Sequence, residues 1–439
     1  TRRVPAGVDA AEVARALPDA LPAKGIAPDQ VVAELTAAVE PGLLTIGSPR
    51  FYGWVMGGSL PAALAADWLV SAWDQNAGMR GATPGVVAVE DAAGRWVLDA
   101  LGLPQGSGVG FVTGCTMANF TGLAAARDAL LAAAGWDVAR DGLVGAPRVP
   151  VLVGAQRHSS IDLALRYLGL GRPIEVAVDD EGRMRADALR AALHANDTGA
   201  LVCAQAGNLH SGSFDPFGPI AEATHERGGW LHVDGAFGLW AAASPSLGAL
   251  VEGMADADSW ATDAHKTLNT PYDGGIAIVR DPAALTRAFG HHADYLLVGA
   301  TPDPHELVPE MSRRARGVPI WAALRSLGRH GVAGLVDGLV SAAALLAEGL
   351  AALPGVSVLN DVVYTQVCIA LADDAATTAA FARILDEVAI HPSASRWRDR
   401  AVIRFSVSNY QTDADAVRET IDAVRRALAG SRYSATATR

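Results

Sequence analysis

The 439-residue sequence predicts an α/β protein: a large domain built on a mostly parallel sheet, followed by a small C-terminal α+β domain. Three observations predict it. Half of the residues are apolar, enough to fill sizeable cores at this length. Between about residues 108 and 300, short β-branched runs alternate with Ala-rich helical segments, the mark of βα units on a parallel sheet. After about 318 a long helix-rich stretch gives way to spaced strands, as in an antiparallel sheet.

Taken in order, residues 8–40 carry Ala, Leu and Val at helical spacing, and "PGLLTIGSPRFYGWVMGGS" then reads as irregular chain rich in Gly and aromatics. Helical patterns return over 62–101. The βα alternation follows: "GVGFVTG", a helix over 117–134, "RVPVLVGA", a helix over 160–168, "IEVAV", a helix over 186–195, "GALVCAQAG", a helix over 218–227, "GWLHVDGA" and "GGIAIVR". Unbroken apolar runs such as "ALVCA" suit strands covered on both faces. Residues 290–312 are too irregular for a helix and too long for a turn, which makes them the expected mobile loop or linker. Beyond them come a helical stretch over 319–353, "GVSVLN", "YTQVCIAL", a helix over 376–389, "AVIRFSVS" and a helix over 413–428.

Composition excludes several partners. A net charge of -12 without any Lys/Arg-rich run argues against nucleic acid and anionic membrane surfaces, both of which need a basic footprint. Three widely spaced cysteines fit a reduced cytoplasmic compartment better than a disulfide framework. No metal-ligand spacing is present. The longest apolar stretches, such as "LVSAAALLAEGLAAL", are broken by Glu348 and read as too short to span a bilayer.

Four places carry residues suited to chemistry. In "FVTGCTMANFTGL" a strand, a tight Gly turn and a helix starting near Thr116 make a natural phosphate cradle, although such turns also serve as plain punctuation. Gly108, Gly110 and Gly114 form only a loose glycine pattern with no strand before it, so a dinucleotide fingerprint is not met. In "GAQRHSSIDLAL", His158 follows a strand and precedes a helix, a place for either a ligand contact or a structural cap. In "GWLHVDGAFG", Asp234 ends an apolar strand beside Gly and Ala; it either caps the next segment or faces a cationic partner across room for a flat ring. The fourth is "WATDAHKTLNTPYDGG". Lys266 is one of two lysines, with Lys24, among 35 basic residues. Arginine holds its proton, whereas lysine can lose it and form an imine, so an isolated lysine in an arginine-rich chain points to covalent chemistry. A phosphate cradle, a ring-stacking His, an acid for a pyridinium nitrogen and an imine-forming Lys are together the requirements of pyridoxal 5'-phosphate.

The order "TGCTMAN", "RHSSID", "LHVDGAFG", "DAHKTLNTPYDGG" and "PEMSRRARG" resembles the group II pyridoxal-dependent amino acid decarboxylases, over roughly residues 45–330, with a family-like tail "VIRFSVSNYQT". The resemblance implies the fold type I (aspartate-aminotransferase-like) architecture with a seven-stranded sheet, and a homodimer with active sites at its interface. It implies an N-terminal dimer-wrapping segment over 1–65, a cofactor-binding domain over 66–315 and a small domain over 316–439. By position it makes Lys266 the imine lysine, Asp234 the pyridinium partner and His158 the ring-stacking residue that also protonates the carbanion. Cys115 and Thr116 fall at phosphate-binding positions, with His265 and Asp263 close by, and Asn208 falls where relatives approach the cofactor's ring oxygen. Trp54 and Met56 match the segment lining the substrate side. Trp240 is expected in the core.

The sequence also departs from the family. Relatives commonly carry a small residue, Ser and Glu at the positions of Cys115, Thr116 and Met117, and often Trp or Met at Thr267. They deliver a proton from a tyrosine on a mobile loop before the "SRRAR" segment; here Tyr295 stands at the start of that interval and His305 within it, as the candidate substitutes. The expected activity is decarboxylation of an aromatic or bulky apolar L-amino acid to its amine. Aldehyde synthase, C–C lyase or aldolase, and aminotransferase chemistry would use the same Lys and Asp, and a non-catalytic scaffold would dispense with them.

Overall fold

The computed structural model describes residues 3–196, 198–291 and 301–429. The helices of the first hundred residues begin where proline fixes the first φ and needs no N–H partner: α2 (Pro28–Val39), α3 (Pro61–Trp73) and α4 (Pro84–Ala100), preceded by α1 (Ala10–Arg15) with a capping box from Asp9 and Glu12. The helical spacing expected over 8–40 therefore resolves into two helices, with prolines at 18 and 22 in the non-helical link between them.

The large sheet has seven strands: β1 (Gly108–Val112), β2 (Val151–Gly154), β3 (Ile174–Val176), β4 (Leu201–Gln205), β5 (Trp230–Asp234), β6 (Ser259–Asp263) and β7 (Gly275–Val279), in the order β1-β7-β6-β5-β4-β2-β3. The pairs from β3 to β6 are parallel, and β7 runs antiparallel between β6 and β1. Strands β6 and β7 are buried at every position; β7 reads as a continuous apolar run for that reason, whereas β6, "SWATD", carries Ser, Thr and Asp and lies outside the expected strands. The connecting helices are α5 (Cys115–Ala133), the short α6 (Val138–Asp141), α7 (Ser159–Tyr167), α8 (Ala186–His194) and α9 (Phe217–His225), with α10 (Pro282–Phe289) after β7. Because β7 alone is reversed, the other six strands point the same way and their C-terminal ends share one edge of the sheet, where open α/β sheets bind ligands.

Helix α11 (Gly317–Ala351) links the two sheets. By length and apolarity it could cross a membrane, unlike the shorter stretch weighed from the sequence. It is kinked at Gly328, whose φ of 62° favours glycine, and its apolar residues serve two cores. Ile320, Ala323 and Leu324 pack with the large sheet, whereas Leu339, Ala343, Leu346 and Leu350 pack with the small one. The small sheet, order β10-β11-β9-β8, is antiparallel and comprises β8 (Ser357–Val358), β9 (Gln366–Ala370), β10 (Ser393–Trp397) and β11 (Arg400–Ser406), with α12 (Asp374–Asp386) and α13 (Ala414–Ala429) beside it. The described part of the expected loop, 301–312, is not free chain. Pro304, His305 and Val308 are buried, and His305 N–H donates to Gly78.

Three arginines of "SRRAR" tie α11's start to three other elements. Arg313 makes a fully buried bidentate pair with Glu90 of α4, at 2.9 and 2.7 Å, and Glu90 also accepts from Gly317 N–H. Arg314 meets Asp67 of α3 at 2.6 Å, and Arg316 meets Asp273 at 2.9 Å. The planar fork matches a carboxylate as lysine cannot, which accounts for arginine at these sites. Arg313→Met would strand the Glu90 carboxylate and is expected to cost about 3–5 kcal/mol in urea unfolding, while adding Glu90→Leu should recover part of that loss. A single substitution costing less than about 1 kcal/mol would mean the pair is solvated.

Candidate active site

Strand β6 ends in Asp263 and β5 in Asp234, two buried carboxylates on adjacent parallel strands. Such a pair is costly without a cation. Lys266, three residues past β6, turns back so that Nζ lies 2.9 Å from Asp263 Oδ2. Burial works to lower its pKa, but Asp263, with Cys115 and Asp234 behind it, outweighs burial and raises it above the ordinary value. The free amine is thus held as a cation until a ligand displaces this balance.

Asp263 Oδ1 is buried with no hydrogen-bond partner among the described residues, and Asp234 is likewise satisfied on one oxygen only. Its Oδ1 accepts from the Cys115 thiol at 3.4 Å and from Ala236 N–H at 3.3 Å, while Oδ2 is buried with no hydrogen-bond partner among the described residues. Burial, reinforced by Asp234 and Asp263, pushes the Cys115 thiol well up, so it stays a protonated donor. The side chain expected at a phosphate is therefore spent on Asp234, and only its backbone sits in the first turn of α5. The Gly114 turn at that helix start packs close to the others: a Cβ there would lie 3.4 Å from His265 Cε1 and 3.5 Å from Asp263 Oδ1. Thr116, half-buried, follows in the same turn. His265 accepts from Gly274 N–H at Nδ1, 3.1 Å, which leaves Nε2 facing Asp263 at 3.6 Å; burial lowers its pKa, and its ring stacks on Tyr272 at 4.1 Å.

His158 follows β2 and caps α7, its Nδ1 accepting from Ser160 N–H at 3.2 Å. Burial lowers its pKa, and Asp234, Lys266, Arg404 and Asp263 are the charges that act on it. Arg404 is a residue that the motifs did not single out. It lies buried in β11, donates to Leu209 O at 2.7 Å, keeps a buried Nε without a partner, and has its pKa lowered to about 10 by burial. An arginine inside the apolar run "VIRFSV" was the available signal. Tyr272, in "TPYDGG", carried no such signal, because stacking depends on where its loop folds.

Other expected residues fall differently. Asn208 bonds within its own turn: Oδ1 accepts from His210 and Ser211 N–H, and Nδ2 donates to Gln156 O at 3.4 Å and Gln205 Oε1 at 3.3 Å. Trp54, half-exposed, stacks on His391 at 5.5 Å, and Met56 is half-buried on the same segment. That segment reaches the site through Gly57, whose N–H donates to His265 O at 3.2 Å. His305 lies near Asp303 and donates its N–H to Gly78 O, and no described contact joins it to Lys266, Asp234 or His158. Tyr295 lies outside the described residues. Trp240 is fully buried, donating to Asp263 O at 3.2 Å, and Thr267 donates to Phe237 O at 2.8 Å.

Fold and site define a class: an α/β protein that gathers a lysine amine and two buried carboxylates at the C-terminal edge of its parallel strands. The family model for the pyridoxal-dependent decarboxylase conserved domain matches residues 11–372, and the chain belongs to that family. It is 29% identical to tryptophan decarboxylase 1 of Oryza sativa subsp. japonica over 324 residues, covering 68% of this chain and 62% of that one. It is 28% identical to the aromatic-L-amino-acid decarboxylase of Bacillus atrophaeus over 325 residues, covering 71% and 65%. The matched region thus spans under two thirds of these relatives' length. The fold is that of Oryza sativa TDC with PLP and tryptamine, at a TM-score of 0.90 and 23% identity, covering 98% of this chain and 93% of that one.

The family's cofactor is pyridoxal phosphate, and the residues fit it. The orphaned Asp234 Oδ2 suits a protonated ring nitrogen, Lys266 supplies the amine for the aldehyde, and the first turn of α5 offers N–H groups to a phosphate. The backbone beside Lys266 leaves little slack. A Cβ on Gly57 would lie 2.1 Å from Lys266 O, so Gly57→Ala is expected to lower stability by about 1–3 kcal/mol in calorimetric melts. An unchanged melt would mean that this segment does not rest on the lysine backbone.

Proposed function

We propose that the protein decarboxylates an L-amino acid with an aromatic or bulky apolar side chain, releasing CO2 and the amine. One observation carries the reading: a lysine amine 2.9 Å from one buried carboxylate, beside a second buried carboxylate whose outer oxygen has no partner. Bound pyridoxal phosphate supplies the electron sink for the pair left on Cα when CO2 departs. In this reading Lys266 would hold the cofactor through its amine, and Asp234 would keep a proton at the ring nitrogen. Cys115 orients Asp234 by occupying Oδ1. His158 covers the ring. The first turn of α5 receives the phosphate, with His265 and Asp263 beside it. Arg404, for which no described carboxylate provides a partner, is the cation for the substrate's carboxylate. Trp54 and Met56 favour an apolar side chain, as do the names of the rice and Bacillus relatives.

The same proposal includes a homodimer, supported by Trp68, Leu69 and Trp73 standing exposed on α3. Three free, buried cysteines support work in a reducing cytoplasm. A second reading, oxidative conversion to the aldehyde, has its own support: residues 296–312 contain no tyrosine to return a proton to Cα.

Product analysis separates the two. Incubation with each of the twenty amino acids should give CO2 and amine from an aromatic substrate; aldehyde with ammonia and peroxide would favour the second reading, and no turnover by a protein that binds the cofactor would favour a scaffold. Borohydride should fix the cofactor to Lys266, and Lys266→Ala should abolish that label. Arg404→Met should raise KM at least about tenfold, the loss of one charge-assisted contact.

A further inference from the structure

A line of buried polar side chains runs from His158 into the core, and no step of the proposed reaction uses it. Trp230 Nε1–H donates to Ser259 Oγ at 2.9 Å, and Ser259 Oγ lies 2.8 Å from His232 Nδ1. His232 Nε2 lies 2.9 Å from Asn119 Oδ1, Asn119 Nδ2 donates to Ser160 Oγ at 3.4 Å, and Ser160 Oγ lies 2.8 Å from His158 Nδ1. Asn119, His232 and Ser259 are wholly buried. They come from α5, β5 and β6, three separate elements. The helix even gives up a side chain to admit them: a Cβ on Gly122 of α5 would stand 2.8 Å from His232 Cε1 and 2.9 Å from its Nδ1. A glycine inside a helix costs about 1 kcal/mol relative to alanine, so the close approach of this imidazole accounts for it.

The direction of the line can be read from its ends, because an indole N–H and a backbone N–H can only donate. At one end Trp230 donates to Ser259, whose own hydrogen is then free to go to His232 Nδ1. His232 accordingly carries its proton on Nε2 and donates to Asn119 Oδ1, and burial, which lowers its pKa to about 3, keeps it neutral. Asn119 passes a donor to Ser160 Oγ, and the Ser160 hydroxyl hydrogen goes to His158 Nδ1. At the other end Ser160 N–H donates to the same Nδ1 at 3.2 Å. Two donors therefore converge on one lone pair of His158.

We propose that this line fixes His158 as the neutral tautomer protonated on Nε2, with Asn119, His232 and Ser160 as its positioning residues. An imidazolium would set its Nδ1–H against the Ser160 N–H and would place a cation at the positive end of α7, so both local forces oppose it. The charged groups facing His158 are Asp234 from β5, Asp263 from β6, Lys266 beyond it and Arg404 from β11, two of each sign. They leave the decision to the hydrogen bonds. The functional consequence rests on the reading of His158 as the residue covering the cofactor ring. There it presents a fixed N–H from Nε2, and it does not supply the proton that returns to Cα. That proton must come from another group.

The test reads the tautomer directly. The full-length protein, labelled with ¹⁵N-histidine, is examined by two-bond ¹H–¹⁵N correlation with and without pyridoxal phosphate, and His158 is assigned by its loss in His158→Gln. The wild type should show the Nε2–H pattern unchanged between about pH 6 and 8. A pattern protonated on Nδ1, or an imidazolium inside that window, would overturn the proposal whatever the variants do. Asn119→Ala and His232→Phe should each move His158 toward mixed tautomers and shift its titration upward, while His232→Gln, which can still donate to Asn119, should restore the wild-type pattern. His158 signals unchanged in folded Asn119→Ala would remove Asn119 and His232 from the positioning role. Loss of the borohydride label at Lys266 with the His158 pattern intact would instead sink the reading of the active site and leave the tautomer assignment standing.

Discussion

The structure turns on charge compensation at one edge of one sheet. Parallel strands bring the carboxylates of Asp234 and Asp263 to adjacent strand ends, where burial makes each of them expensive. Lys266 answers Asp263 directly. Asp234 is answered by a thiol and a backbone N–H on one oxygen, and its other oxygen, like Asp263 Oδ1, has no donor among the described residues. In the proposed reading that oxygen of Asp234 receives a protonated ring nitrogen, and the lysine that cancels the neighbouring charge is the same group that can bond to an aldehyde.

The rest of the molecule holds that edge in place. Gly57 lets an irregular segment lie directly on the backbone of Lys266, and Asn269 ties the same loop to Gly58, Ser408 and Tyr410. The small domain acts on the site through Arg404 of β11, whose charge bears on His158 and which donates to Leu209 O of the large domain. Helix α11 can serve both cores because Gly328 bends it, and the buried Arg313–Glu90 pair anchors its first turn. Hydrogen bonds provide the finer settings: Gly274 orients His265, and Ser160 orients His158.

Much of this was legible in the sequence. The βα alternation gave helix limits within a few residues, since 3.6-residue and twofold periodicities are local properties. Lys266 stood out because lysine is rare in this chain, and Asp234 because an acid closing an apolar strand is unusual. Other features were hidden. Cys115 read as a phosphate contact, yet its thiol points to Asp234, a partner 119 positions away. Asn208 read as a ligand residue, but its amide closes the turn around Gly207 and Gly212, both at positive φ. His232 drew no notice, because a histidine in a strand has no signature until its neighbours are known.

The sequence by itself determined most of the elements (β6 excepted), the acid that closes β5, and which lysine is set apart, because these depend on residue type and local spacing. Only the tertiary structure decided which atoms meet: that Asp234 keeps one oxygen unpaired, that Arg404 acts on the site from the small domain, and that a line of side chains from three elements converges on His158. Hydrogen bonds and ion pairs act over a few ångströms between residues far apart in the chain, so their partners are settled by packing and not by order.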